Sequence, residues 1–146
     1  DGAAMLDEDG TPVIGLTLRF DRIDNFWFTL MHELVHVQRH LTKQGQAFVD
    51  AIDGESVVVE DALETEADLA AAEAFIPRAI WRSSDAYRLK RADAVEQLAA
   101  ELVIHPAIIA GRIRRESGNY RLLKDMVGQG TIRGLFPDIS WIKEGK

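Results

Sequence analysis

The sequence predicts an α+β fold, a small antiparallel β-sheet packed on a mostly helical body. Three observations carry that expectation. Two short apolar stretches, residues 3–6 (AAML) and 13–20 (VIGLTLRF), flank the turn-forming segment DEDGTP. Two long segments, FWFTLMHELVHV and the alanine-rich EDALETEADLAAAEAFIP, have helical patterning. Beyond them, Pro77, Pro106 and Gly128 punctuate the chain into short helical pieces.

Taken in order, Asp9-Gly10 and Thr11-Pro12 provide the tight reversal of a hairpin between two antiparallel strands. Asp21 or Asp24 is positioned to cap a helix over about 25–41. Residues 45–61 hold Gly45, Gly54 and several acids and read mostly as loop, with Val57-Val58-Val59 as a possible short strand. A second helix covers about 61–76 and stops at Pro77. Shorter helices are expected over about 77–82, 92–103, 106–117 and 120–127, with Pro106 in the first position of its helix. From Gly128 onward the chain is expected to be irregular.

Composition narrows the function classes. A length of 146 residues favours a single domain, and 47% hydrophobic residues are enough for a core. The net charge of −7 opposes non-specific binding to nucleic acid or to anionic membrane. The absence of cysteine excludes disulfides and thiolate metal sites and suits a reducing cytoplasm. No apolar run approaches a membrane-spanning length, and no membrane partner is expected. Asp1 to Met5 has no signal-peptide character and no initiator methionine, as expected of a domain trimmed from a longer protein.

The strongest chemical signal is His32-Glu33-Leu34-Val35-His36. Two histidines four apart share one helix face, with Cβ atoms about 5–6 Å apart, so both rings can reach one zinc ion. Glu33 projects beside the metal, where it can take a proton from a water that zinc acidifies. This spacing arises by chance in about one chain of this length in a hundred. The helix is otherwise strongly apolar, and polar groups on a buried helix need partners. His40 stands about 12 Å from His32 along the axis, too far to share the ion, and is expected behind the site or in the structure around it. A third ligand is better sought on the second helix, in Glu64-Thr65-Glu66-Ala67-Asp68. Glu64 and Asp68 share a face; if Glu64 is the ligand, Asp68 can accept the free N–H of a ligating histidine. Glu66 is the fallback.

FTLMHELVHVQRHL followed by ETEADLAAAEAFIP resembles the ImmA/IrrE-type metallopeptidases over about residues 13–82. IHPAIIAGRIRRESGNYRLL extends the resemblance, more loosely, to the tail of their antitoxin-like branch. The resemblance implies a small cytoplasmic gluzincin-like zinc protein, with His32, His36 and Glu64 as ligands, Glu33 as catalytic base and Asp68 behind the metal. Asp68 stands where many relatives have Asn, and Val35 where the family helix often has Gly. It further implies a zincin-like catalytic core over 1–82 and a helical C-terminal subdomain, 83–146, packed on it. The expected partner is a protein substrate, a transcriptional repressor. DNA would be met only through an N-terminal helix-turn-helix domain preceding residue 1.

Two functions are therefore expected as alternatives. One is a zinc-dependent endopeptidase with a narrow protein substrate. The other is a non-catalytic or latent zinc-binding regulatory domain of an antitoxin-like transcription factor. In zincins a strand beside the metal helix pairs with the substrate backbone, and residues 13–20 are placed for this. His105, Tyr87, Tyr120 and several arginines are available to stabilise an oxyanion, although His105, just before Pro106, reads better as a helix cap. The helix pair at 93–117 could mimic a DNA-binding helix-turn-helix, but packing on the core fits the acidic chain better. Trp27, Trp81 and Trp141 read as core aromatics.

Overall fold

Asp7 closes the first hairpin. Its Oδ1 accepts from the backbone N–H groups of Asp9 (3.0 Å) and Thr11 (2.7 Å), an Asx-type turn that replaces ladder bonds at the reversal. The flanking strands, β1 (Gly2–Leu6) and β2 (Pro12–Leu16), pair antiparallel with Gly2 opposite Leu16 and Leu6 opposite Pro12. The computed structural model describes residues 1–41 and 55–140. Residues 42–54, with Gly45 and Gly54, and residues 141–146, with Trp141, lie outside the described residues.

β2 ends at Leu16 rather than at Phe20. Beyond it a long-range clamp takes over: Arg133 donates to the Leu18 carbonyl through Nε (3.1 Å) and Nη2 (2.9 Å). Asp21 belongs to the same clamp. Its backbone is left-handed (φ 43°), and its Oδ1 accepts from the N–H groups of Ile132 and Arg133, each at 2.9 Å. It therefore does not cap the following helix, α1 (Ile23–Val35). Nor does Asp24: the N-cap is Arg22, whose side chain makes no capping bond, and Asp24 sits in the first turn, paired with the Arg22 guanidinium at 3.0 Å. There its negative charge still complements the helix dipole.

α1 passes into one π-helical turn, His36–His40, closed by the Leu41 N–H donating to the His36 carbonyl at 2.9 Å. The next helix, α2 (Glu55–Phe75), starts earlier than expected and takes in Val57 to Val59, which are helical rather than a strand. β-propensity depends on a pleated neighbour, whereas helix propagation adds a bond per residue once nucleated. Four helices follow: α3 (Arg78–Ser83), α4 (Asp85–Leu89), α5 (Ala92–Leu102) and α6 (Pro106–Ser117). α4 was not expected; Ser84 starts it by accepting the Tyr87 N–H at 3.2 Å. His105 caps α6 through Nδ1, as its place before Pro106 suggests. The helix expected at 120–127 is reduced to a 3₁₀ turn, Lys124–Met126, because Leu123 is left-handed (φ 50°) and breaks the run. A last 3₁₀ turn covers Arg133–Leu135.

The core lies among α3 to α6 and the end of α2, around Trp81, Ile76, Val95, Leu98, Ile109 and Ile113. Trp81 is buried as expected, and its indole N–H donates to Glu116 at 2.9 Å. Trp27 is not a core residue: 43% of it is exposed, and it stands edge-on to Phe26. Arg112 ties α6 to α2. Its guanidinium lies over the Trp81 ring and donates to the carbonyls of Ala72 (3.1 Å) and Ile76 (2.8 Å), near the negative end of α2. Gly111 lets α6 approach α1; a Cβ there would stand 2.5 Å from the Asp24 Cβ. Among the described residues no helix is long and apolar enough to cross a membrane.

The α5–α6 turn stores strain. Ile104 donates to the Ala99 carbonyl (3.1 Å) and Val103 to Ala100 (3.4 Å), the bond pattern of a Schellman end. The left-handed residue it requires is Val103, at φ 55°. A β-branched residue is poorly suited to that region, and Val103 is 89% exposed, so it gains little from packing. Val103→Gly is expected to stabilise the fold by about 0.5–1 kcal/mol, the relief of strain less the added freedom of the unfolded chain. A urea midpoint that rises at unchanged slope would show it; an unchanged or lower midpoint would refute the strain.

Candidate metal centre

The geometry of the site begins with helix periodicity. His32 and His36 stand one turn apart and bring their Nε2 atoms to 2.9 Å of each other. α2 crosses α1 and delivers Glu64 between them, with Oε2 3.1 Å from His32 Nε2 and Oε1 3.2 Å from His36 Nε2. One ligand atom from each of the three residues lies within 4.8 Å of the other two. Three donors around a tetrahedral zinc ion at its usual bond lengths stand about 3.3 Å apart. The observed spacings fall within a few tenths of an ångström of that value, and the donor set fits a divalent cation.

Charge and proton placement agree with the fit. Asp68 Oδ1 lies 2.8 Å from His32 Nδ1, and an ionised carboxylate can only accept, so the His32 proton sits on Nδ1. That leaves the His32 Nε2 lone pair facing His36 and Glu64. Burial pulls the His36 ring below its ordinary pKa, with the Glu64 charge opposing, which favours the neutral form a metal requires. Asp68 thus meets His32 at Nδ1, while Glu64 meets the same ring at Nε2.

Glu66 does not join the three donors. Its carboxylate accepts from Arg39 at 2.8 Å and approaches His40 Nε2 at 3.5 Å. Glu33 is 6% exposed, beside the donors rather than among them. Burial pushes its carboxyl above the usual range, opposed first by the nearby His32. The Ala4 N–H donates to it.

An open cleft of about 340 Å³ fronts the donors, lined in part by Gly2, Phe28, Thr29, Glu33 and Asp68. Gly2 of β1 borders it, whereas no residue of β2, the expected substrate-side strand, does. A Cβ on Gly2 would stand 2.6 Å from Glu33 Oε1, so only glycine lets the strand lie this close to Glu33. This contact joins residues far apart in sequence and has no local signature. His105, Tyr87 and Tyr120 do not line the cleft. His105 is used as the α6 cap, Tyr87 packs against Trp81, and Tyr120 lies beneath Arg114. The arginines of α6 are likewise engaged: Arg112 on Trp81, Arg114 near Asp24 and Arg115 over the Phe28 ring at 3.1 Å. Comparison of the chain with protein-family models, with curated proteins and with solved structures finds no match in any of the three.

Elemental analysis after supplying zinc is expected to find about one ion per chain in the wild type and in Glu66→Ala, and its loss in Glu64→Ala. Retention of the ion in Glu64→Ala, or its loss in Glu66→Ala, would assign the third ligand wrongly.

Proposed function

We propose that this chain is a zinc-dependent endopeptidase of the ImmA/IrrE type with a narrow protein substrate, a transcriptional repressor. The observation that carries the reading is the pairing of a three-donor set with a separate, buried carboxylate at the same cleft. Among the described residues the donors are two histidines and one glutamate, a set that leaves a position open for water, whereas structural zinc sites are closed by four protein ligands. Bound there, zinc would acidify a water molecule and polarise the scissile carbonyl.

The chain's own residues do the rest. Asp68 fixes the tautomer and the ring plane of His32. Glu33, its carboxylate held by the Ala4 N–H while burial raises its affinity for a proton, takes the proton as the water oxygen bonds to the peptide carbon. It then passes that proton to the amine nitrogen as the C–N bond breaks. The raised affinity of Glu33 for a proton suits both transfers. β1 runs beside the cleft and supports an extended substrate backbone there.

One observation favours the alternative, a latent or non-catalytic zinc-holding regulatory domain of an antitoxin-like transcription factor. None of the expected oxyanion-stabilising side chains lines the cleft among the described residues. Cleavage of a candidate repressor by purified, zinc-loaded chain separates the two readings.

Glu33→Gln is expected to keep zinc and to lose cleavage by about 10²–10⁴-fold. Unchanged cleavage in that variant would end the assignment of Glu33 as base. Gly2→Ala is expected to displace the Glu33 carboxylate and lower kcat/KM by on the order of 10²-fold with zinc retained. Wild-type turnover in Gly2→Ala would mean that the strand can move aside at no cost.

A further inference from the structure

The π-helical turn after His36 has a consequence for the metal centre. By widening the helix, it brings His40 over His36, with the two Nδ1 atoms 2.9 Å apart and the rings edge to face. The His40 side chain is only 4% exposed. We propose that His40 is a positioning residue of the metal site: its Nδ1 accepts the Nδ1 proton of His36 and so turns the His36 Nε2 lone pair toward His32 and Glu64. This rests on the reading of His32, His36 and Glu64 as metal donors.

Two neutral imidazoles whose Nδ1 atoms approach to 2.9 Å share one proton between those atoms, and it has two possible owners. If His40 owns it, His36 Nδ1 accepts and His36 Nε2 carries the other hydrogen, directed at His32 and Glu64. That hydrogen blocks ligation. In the same arrangement the His40 Nε2 lone pair faces the Glu66 carboxylate at 3.5 Å, a repulsive contact in a buried setting. If His36 owns the proton, both ends improve. His36 Nε2 becomes a donor to metal, and the His40 Nε2–H points toward Glu66. At 3.5 Å that last contact is Coulombic rather than a close hydrogen bond. Arg39 holds Glu66 in place at 2.8 Å, so the charge that selects the tautomer is itself anchored. His32 has a carboxylate behind it in Asp68; His36 has a neutral acceptor backed by a carboxylate. Both rings are thereby oriented, by different means.

The test compares zinc affinity, by competition with a chromophoric chelator, in wild type, His40→Leu and His40→Asn. Asn places a carbonyl oxygen close to where Nδ1 stands and retains the acceptor; Leu removes it. The proposal expects His40→Leu to bind zinc about 10–100-fold more weakly, and His40→Asn to recover most of that loss. Equal weakening in both variants would mean that His40 acts only by packing and would overturn the proposal. Unchanged affinity in His40→Leu would overturn it too, while leaving the three-donor site intact. A second zinc per chain in wild type, absent from His40→Leu, would make His40 a ligand instead. Failure of the wild type to take up any zinc would defeat the donor-set reading first and this one with it. Should the variants fail to fold, ¹⁵N NMR of the zinc-loaded wild type decides: a proton on His36 Nδ1 supports the proposal, and one on His40 Nδ1 overturns it.

Discussion

The approach of α2 to α1 is the constraint on which the rest of this site depends. Glu64 must come within about 3 Å of two rings on another helix, and Asp68 must reach the far side of one of them. Ala67 and Ala71 are fully buried and lie on the helix face that Glu64 and Asp68 share by their spacing. Small side chains between the carboxylates let the helices close without pushing the acids away. A larger residue at either position would open the crossing and separate donors that must converge on one point.

α6 fixes this crossing from behind. Arg112 grips the last carbonyls of α2, Gly111 admits Asp24 of α1, and Arg115 covers Phe28 of the same helix. Arg112, Arg114 and Arg115 of α6 are therefore tied to aromatic rings, carbonyls and carboxylates of neighbouring elements. Arg114 is itself buried, donating to the Tyr120 carbonyl at 2.7 Å. Such groups organise an interior more than they present a charged face to a polyanion.

The carboxylates divide by environment. Glu33 is buried, and its carboxyl is pushed toward the protonated form, while Glu64 and Asp68 are about half exposed. Burial raises the proton affinity of a carboxyl group. The same residue type thus meets two environments in one cleft, and the distinction comes from where two helices and one strand meet.

Much of this was legible in sequence. The spacing of His32 and His36, the side projection of Glu33 and the shared face of Glu64 and Asp68 follow from helix periodicity, which operates over a few residues and needs no tertiary context. The hairpin, Pro106 in its first helical position and the His105 cap are equally local. Other features required the folded chain. Asp21 and Asp24 both looked like caps, but distant backbone N–H groups and Arg22 claimed them instead. Val57 to Val59 carried a strand signal that the continuing helix overrode. The choice of Glu64 over Glu66, the contact of Gly2 with Glu33 and the stacking of His40 on His36 all depend on which elements cross and on one widened helical turn. The sequence by itself determined which residues share a face. Tertiary structure decided which faces meet, because packing joins residues by the space they fill and not by their distance along the chain.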